Sequence, residues 1–66
     1  MTGPEAREAM LSRTPVHYNG IDFICITAIT YRTGPGGDIN VTLELLDKCK
    51  HSVTIANIKD VTIKGD

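Results

Sequence analysis

Apolar side chains recur along this chain with the spacing of strands. From Ile21 to Arg32 the segment IDFICITAITYR is dense in β-branched and aromatic residues, lacks Gly and Pro, and is apolar at both alternating sets of positions. That composition favours one long strand over a helix. Successive side chains of a strand point to opposite sides. One face is therefore predicted to carry Ile21, Phe23, Cys25, Thr27, Ile29 and Tyr31, and the other Asp22, Ile24, Ile26, Ala28, Thr30 and Arg32, so that the middle needs cover on both faces. From Ile39 to Leu45 the alternation is cleaner, with Ile39, Val41, Leu43 and Leu45 inward and Asn40, Thr42 and Glu44 outward. Ser52 to Ala56 is predicted to place Val53 and Ile55 in the core. Val61 and Ile63 alternate with Thr62 and Lys64 in a short last strand.

The remaining segments punctuate these strands. Thr2 with Glu5 fits a capping box and Pro4 is tolerated in a first turn, which predicts a helix from about Gly3 to Ser12. Ala6, Ala9, Met10 and Arg13 form its narrow stripe. Too short to persist alone, the helix is expected to rest on the face carrying Ile24, Ile26 and Ala28. Pro15 stops it, and Val16-His17-Tyr18 reads as a short strand joined to the long one through Asn19-Gly20, a type I′ hairpin signal because both residues tolerate positive φ. His17 points to the side opposite Val16 and Tyr18, toward solvent. Thr33-Gly34-Pro35-Gly36-Gly37 breaks the long strand as a hairpin tip. It lacks the Lys-Ser/Thr pair and following helix of a phosphate-binding loop. Asp47 to His51 forms the next turn, and Asn57-Ile58-Lys59-Asp60 fits a single 3₁₀ turn.

Tight hairpins require antiparallel neighbours, and a small sheet hides its edges best by curling on itself. The expectation is a mainly β fold: a small five-stranded antiparallel barrel over about residues 15–64, with a short N-terminal helix over about 3–12, in a single domain spanning 1–66. A 3₁₀ turn before a short last strand resembles the SH3-like barrels. With the leading helix, Pro15-Val16, Asn19-Gly20-Ile21 and the closing Val53 to Ile63 stretch, the pattern also resembles the Sm-like barrels, including the bacterial RNA chaperone of that group. The late Lys-His signature of that chaperone is absent, with Ala56-Asn57 nearby instead, so the resemblance brings no binding residue with it. The capped helix, Pro-Val, Asn-Gly hairpin and LELLDK strand end look like small uncharacterised proteins of bacterial phages and mobile elements. That likeness implies interference with a host pathway, by sequestering a signalling nucleotide or a host protein.

Composition narrows the chemistry. At 66 residues only about 60% of the unfolded surface can be buried, and chains of this size lean on disulfides, metals or oligomerisation. The two cysteines, Cys25 inside the long strand and Cys49 in a polar turn, are expected to be free thiols. No apolar stretch near the N-terminus has the length of a secretory signal and no run could span a membrane, which points to a cytoplasmic protein with no membrane partner. Seven basic against eight acidic side chains leave a formal charge of −1, unlike a protein that neutralises many phosphates.

Few residues are placed for catalysis. Cys49 and His51 make half of a metal site, whereas a structural zinc needs four ligands and Cys25 and His17 are dispersed. The carboxylates Asp22, Asp38, Glu44, Asp47 and Asp60 read as caps, turn formers or solubilising charges. The chain is therefore read as a non-catalytic binding or adaptor module without cofactor or metal, acting through protein contacts. Its expected partners are copies of itself and another protein, and its interface residues Ile24, Ile26, Tyr31 and Leu46. Each large apolar side chain removed from water is worth about 1.5–3 kcal/mol. The alternative is a nucleotide or single-stranded nucleic acid held at an intersubunit basic site by Arg32, Lys48, Lys50 and His51, with Tyr18 or Tyr31 stacking on a base. Hairpin alternation sets the two loops of that site at opposite ends of one strand, so the cluster requires a subunit boundary.

Overall fold

The computed structural model describes residues 1–64. The capping box forms as the sequence requires: Thr2 N–H donates to Glu5 Oε1 at 2.9 Å and Glu5 N–H donates to Thr2 Oγ1 at 3.3 Å. It opens α1 (Gly3–Ser12), which buries Ala6 and Ala9. Arg13, in the left-handed region at φ 54°, ends the helix, and Thr14 N–H closes back on the Ala9 carbonyl at 2.9 Å. This is the wrapped helix end that satisfies the last carbonyls.

Six strands follow: β1 (Val16–Tyr18), β2 (Ile21–Phe23), β3 (Cys25–Thr33), β4 (Ile39–Leu46), β5 (Val53–Asn57) and β6 (Thr62–Ile63), with a 3₁₀ turn at Ile58–Asp60 before the last. They form two three-stranded antiparallel sheets, ordered β2-β1-β6 and β3-β4-β5. The five-stranded barrel expected from the hairpin pattern is therefore corrected: among the described residues there is no closed barrel. The single strand predicted over Ile21 to Arg32 divides at Ile24, β2 pairing with β1 and β3 with β4. Ile24 is the corner, its N–H donating to the Leu46 carbonyl at 2.9 Å. Closure would need a last strand long enough to bridge both sheets. β6 has two residues and pairs with β1.

The corner also corrects the predicted faces. Phe23 and Ile26 are both buried although an odd and an even position cannot share a face of one regular strand. A bulge at Thr27 then changes the phase back, since Ile26 pairs with Leu45 but Ala28 with Glu44. Ile29 thus returns to the core side opposite Leu43. An extra residue in one strand of a pair has this effect.

The helix, strands β1 to β5 and the 3₁₀ turn contribute to the core, which joins Ala6 and Ala9 to Val16, Phe23, Ile26, Leu43, Leu45, Ala56 and Ile58, with Val61 just before β6. The β3–β4 hairpin runs beyond it. Val41 is half-buried, while Ile39, predicted inward, is 66% exposed near the tip. The prediction for β5 is inverted as well. With Leu43 and Leu45 inward, the register Leu45 to Thr54 and Leu43 to Ala56 turns Thr54 and Ala56 to the core and leaves Val53 and Ile55 outside.

Candidate interaction surface

The outer face of the β3-β4-β5 sheet is built from aligned rows. Cys25, Leu46 and Val53 lie side by side in register, and next to them Ala28, Glu44 and Ile55. Directly opposed residues of antiparallel strands share a face, so Leu46, Val53 and Ile55 form one apolar patch at the end of the sheet next to the Asp47–Ser52 turn. Val53 is 46% exposed and Ile55 59%, with Leu46 half-buried between Val53 and Cys25.

Glu44 is the charge that should interrupt this patch, yet it is drawn to the far side. The bulge aims Thr27 Oγ1 at the Glu44 carboxylate, to which it donates at 2.8 Å. Since β3 and β5 flank β4 on opposite sides, a carboxylate held by Thr27 on β3 is turned away from Ile55 on β5. The irregularity in one edge strand thus uncovers a side chain on the other.

The adjoining turn is organised by Asp47. Its carboxylate accepts the Cys49 N–H through Oδ1 and the Ser52 hydroxyl through Oδ2 at 3.1 Å, while Lys50 sits at φ 60° and donates its N–H to the Asp47 carbonyl at 3.0 Å. The Cys49 amide, followed by Ser52, holds the Asp47 carboxyl below the ordinary carboxylate range. This is an Asx-type turn.

On the β2-β1-β6 sheet, Asp22 gathers three basic groups. His17 Nδ1 lies 2.8 Å from Asp22 Oδ1, and Lys64 Nζ and Lys48 Nζ lie 3.2 and 3.9 Å from Oδ2. Hydrogen bonds from His17 first and Lys64 second lower the Asp22 pKa. No group of three His, Cys, Asp or Glu side chains among the described residues is arranged to hold a metal. Cys25 is buried and Cys49 exposed, and both are free thiols.

No family model, curated protein or solved structure matches this chain. Its surfaces must therefore be read from their own chemistry. Of the interface residues expected from sequence, Leu46 lies in the patch and Tyr31 is 64% exposed, but on the face toward α1, where it lines an open groove with Gly3, Pro4, Arg7, Glu8 and Leu11. Ile24 is half-buried at the corner, and Ile26 is buried at 2% exposure, covered by its own chain. Within the ICITAI segment, Ile26 lies in the internal core and Ile29 packs against it, while Ile24 stays half-buried at the corner.

The expected anion-binding residues are not gathered within one chain. Arg32 pairs with Asn40 near the glycine-rich tip, whereas Lys48, Lys50 and His51 follow Leu46 at the other end of β4. The six steps from Asn40 to Leu46 span about 20 Å. Lys48 is engaged with Asp22, and Tyr18 packs against the core. One feature escaped the sequence reading although a signal existed for it. A two-residue Asn-Gly hairpin sets His17 opposite Asp22 by counting outward from the turn.

No helix among the described residues is long and apolar enough to cross a membrane.

Proposed function

We propose that this chain is a non-catalytic protein-binding module that associates with copies of itself at the β5 side of the β3-β4-β5 sheet, where its outer face is apolar. The reading rests on the patch formed by Leu46, Val53 and Ile55, with Val53 and Ile55 bare to solvent and the nearest carboxylate turned away. Contiguous apolar surface of this kind marks interaction sites. A core of so few side chains has little surplus stability, so burial against another subunit matters more here than in a larger domain. Sedimentation velocity from low to high micromolar concentration tests the reading. A species whose mass grows with concentration is the expected result, and a strict monomer throughout the range removes it.

The nucleotide reading, with Arg32, Lys48, Lys50, His51 and Tyr18 meeting across a subunit boundary, gains no specific support. Lys48 already has a carboxylate partner and Arg32 lies at the opposite end of the sheet. Its discriminating variant is Lys48→Glu with Lys50→Glu, which should abolish anion binding and leave self-association in place.

A further inference from the structure

The proposed association can be located on one strand from the phase of the backbone ladder. Leu46 offers its carbonyl to Ile24 N–H, on the β3 side, and Asp47 N–H donates to the Ser52 carbonyl at 3.2 Å, on the β5 side. In antiparallel sheets both backbone groups of a residue point the same way, and the direction alternates along the strand. Leu45 and Leu43 therefore bond to Thr54 and Ala56, their partners in register. The N–H and C=O groups of Val53, Ile55 and Asn57 are directed away from β4, where no strand among the described residues pairs with them.

Native sheets blunt such edges with charge, proline, a bulge or brevity. The other edges here carry these devices: β3 has the bulge at Thr27 and a charge at Arg32, β2 has Asp22 in three residues, and β6 has two residues. Val53-Thr54-Ile55-Ala56-Asn57 has none of them. It is an uncharged, β-branched, regular edge beside an apolar patch.

We infer that β5 pairs antiparallel with β5 of a second copy about a two-fold axis at Ile55, joining the two sheets into one of six strands. This rests on the self-association proposed above and assigns it to an edge. Only alternate residues present outward groups, so the axis must pass through a residue. At Ile55 the pairing spans the strand, and since the Asn57 carbonyl opens the 3₁₀ turn, about four backbone hydrogen bonds form. Ile55 then stands opposite Ile55 on the outer face, and Val53 opposite Asn57. No like charges meet, since the strand carries none. The second copy fits this edge because the strand is its own complement. A five-residue pairing falls short of the roughly 1,200 Å² of a standard interface, so the dimer should be reversible, with a dissociation constant in the micromolar range.

Two variants test the homotypic contact. Ile55→Lys and Ile55→Glu each place like charges opposite one another, and the exposed position allows both to fold, which circular dichroism verifies. Each alone should weaken the dimer roughly tenfold or more, and an equimolar mixture should regain it, because Lys then faces Glu. If the wild type associates but both variants associate equally well, β5 is not the interface and self-association stands on another surface. If both variants are monomeric and mixing restores nothing, the two-fold at Ile55 is wrong. If the wild type itself stays monomeric at high micromolar concentration, this inference and the proposed function fall together.

Discussion

Asp22 makes more polar contacts across elements than its sequence context announces, binding His17 on β1, Lys48 in the β4–β5 turn and Lys64 after β6. It ties the two ends of the small sheet to the hairpin of the other. Its depressed pKa carries a defined pH dependence. A carboxylate held lower in the folded chain than in the unfolded one stabilises the fold at pH above its unfolded value near 4, and that contribution is lost as pH falls through the lower folded value. Glu5, lowered chiefly by the Thr2 backbone, and Asp47, lowered chiefly by the Cys49 backbone, act with the same sign. Asp22→Asn should therefore reduce the melting temperature at pH 7, and the gap from wild type should close as both are acidified below pH 4. Thermal melts by circular dichroism across that range check this, and a gap that widened on acidification would contradict the assignment. The pairing of His17 with Asp22 was legible in the sequence only by counting register from Asn19-Gly20. A facing argument alone puts His17 in solvent, which is half right, since the ring remains partly exposed while its Nδ1 is engaged.

The elements whose signals are local were legible. Asn19 at φ 51° and Gly20 at φ 77° adopt the turn their pair demands, and the capping box, the β4 alternation and the 3₁₀ turn likewise depend on neighbours within a few residues. Gly20 gives a clean test, because a Cβ added there meets nothing within 4 Å. Any cost of Gly20→Ala is then backbone strain alone, about 1 kcal/mol, or roughly 4–8 °C in melting temperature for a domain of this size. An unchanged melting temperature would show that the hairpin does not hold this conformation. The division of the long apolar segment was not legible. Nothing in IDFICITAITYR distinguishes Ile24 from its neighbours, and the corner exists because β2 and β3 answer to different partners. The inverted facing of β5 has the same origin: β-branched residues alternate with Thr and Ala, and only the register set by β4 decides which set turns inward. Substitutions report that choice directly. Val53→Thr should change monomer stability by less than about 0.5 kcal/mol, as surface changes do, whereas Ala56→Asp, on the inward side, should unfold the chain by burying an unpaired charge. Equal tolerance at both positions would mean the register is wrong.

At the scale of the whole molecule, the question is how a chain this small remains folded with much of its apolar surface outside. Typical stabilities per residue give roughly 3–10 kcal/mol for 66 residues. Leu43 and Leu45 are wholly buried at the centre of the larger sheet, and Leu43→Ala should cost about 2–5 kcal/mol, a large part of that margin and, toward its lower end, all of it. Association changes this balance by mass action, because whatever binds only the folded chain stabilises it in proportion to the logarithm of its concentration. For a dimer well above its dissociation constant, each tenfold rise in concentration adds about 0.7 kcal/mol per chain, or roughly 3–6 °C in melting temperature. The wild type should therefore melt at a temperature that climbs with concentration through the micromolar range, whereas Ile55→Lys should melt at one that does not. Leu43→Ala should be unfolded when dilute and recover ordered strand signal when concentrated. Calorimetry at several concentrations separates these cases. A wild-type melting temperature independent of concentration would mean that the patch at Leu46, Val53 and Ile55 adds nothing to the fold, and that the inward set of Leu43, Leu45, Ile26 and Phe23 sustains it unaided.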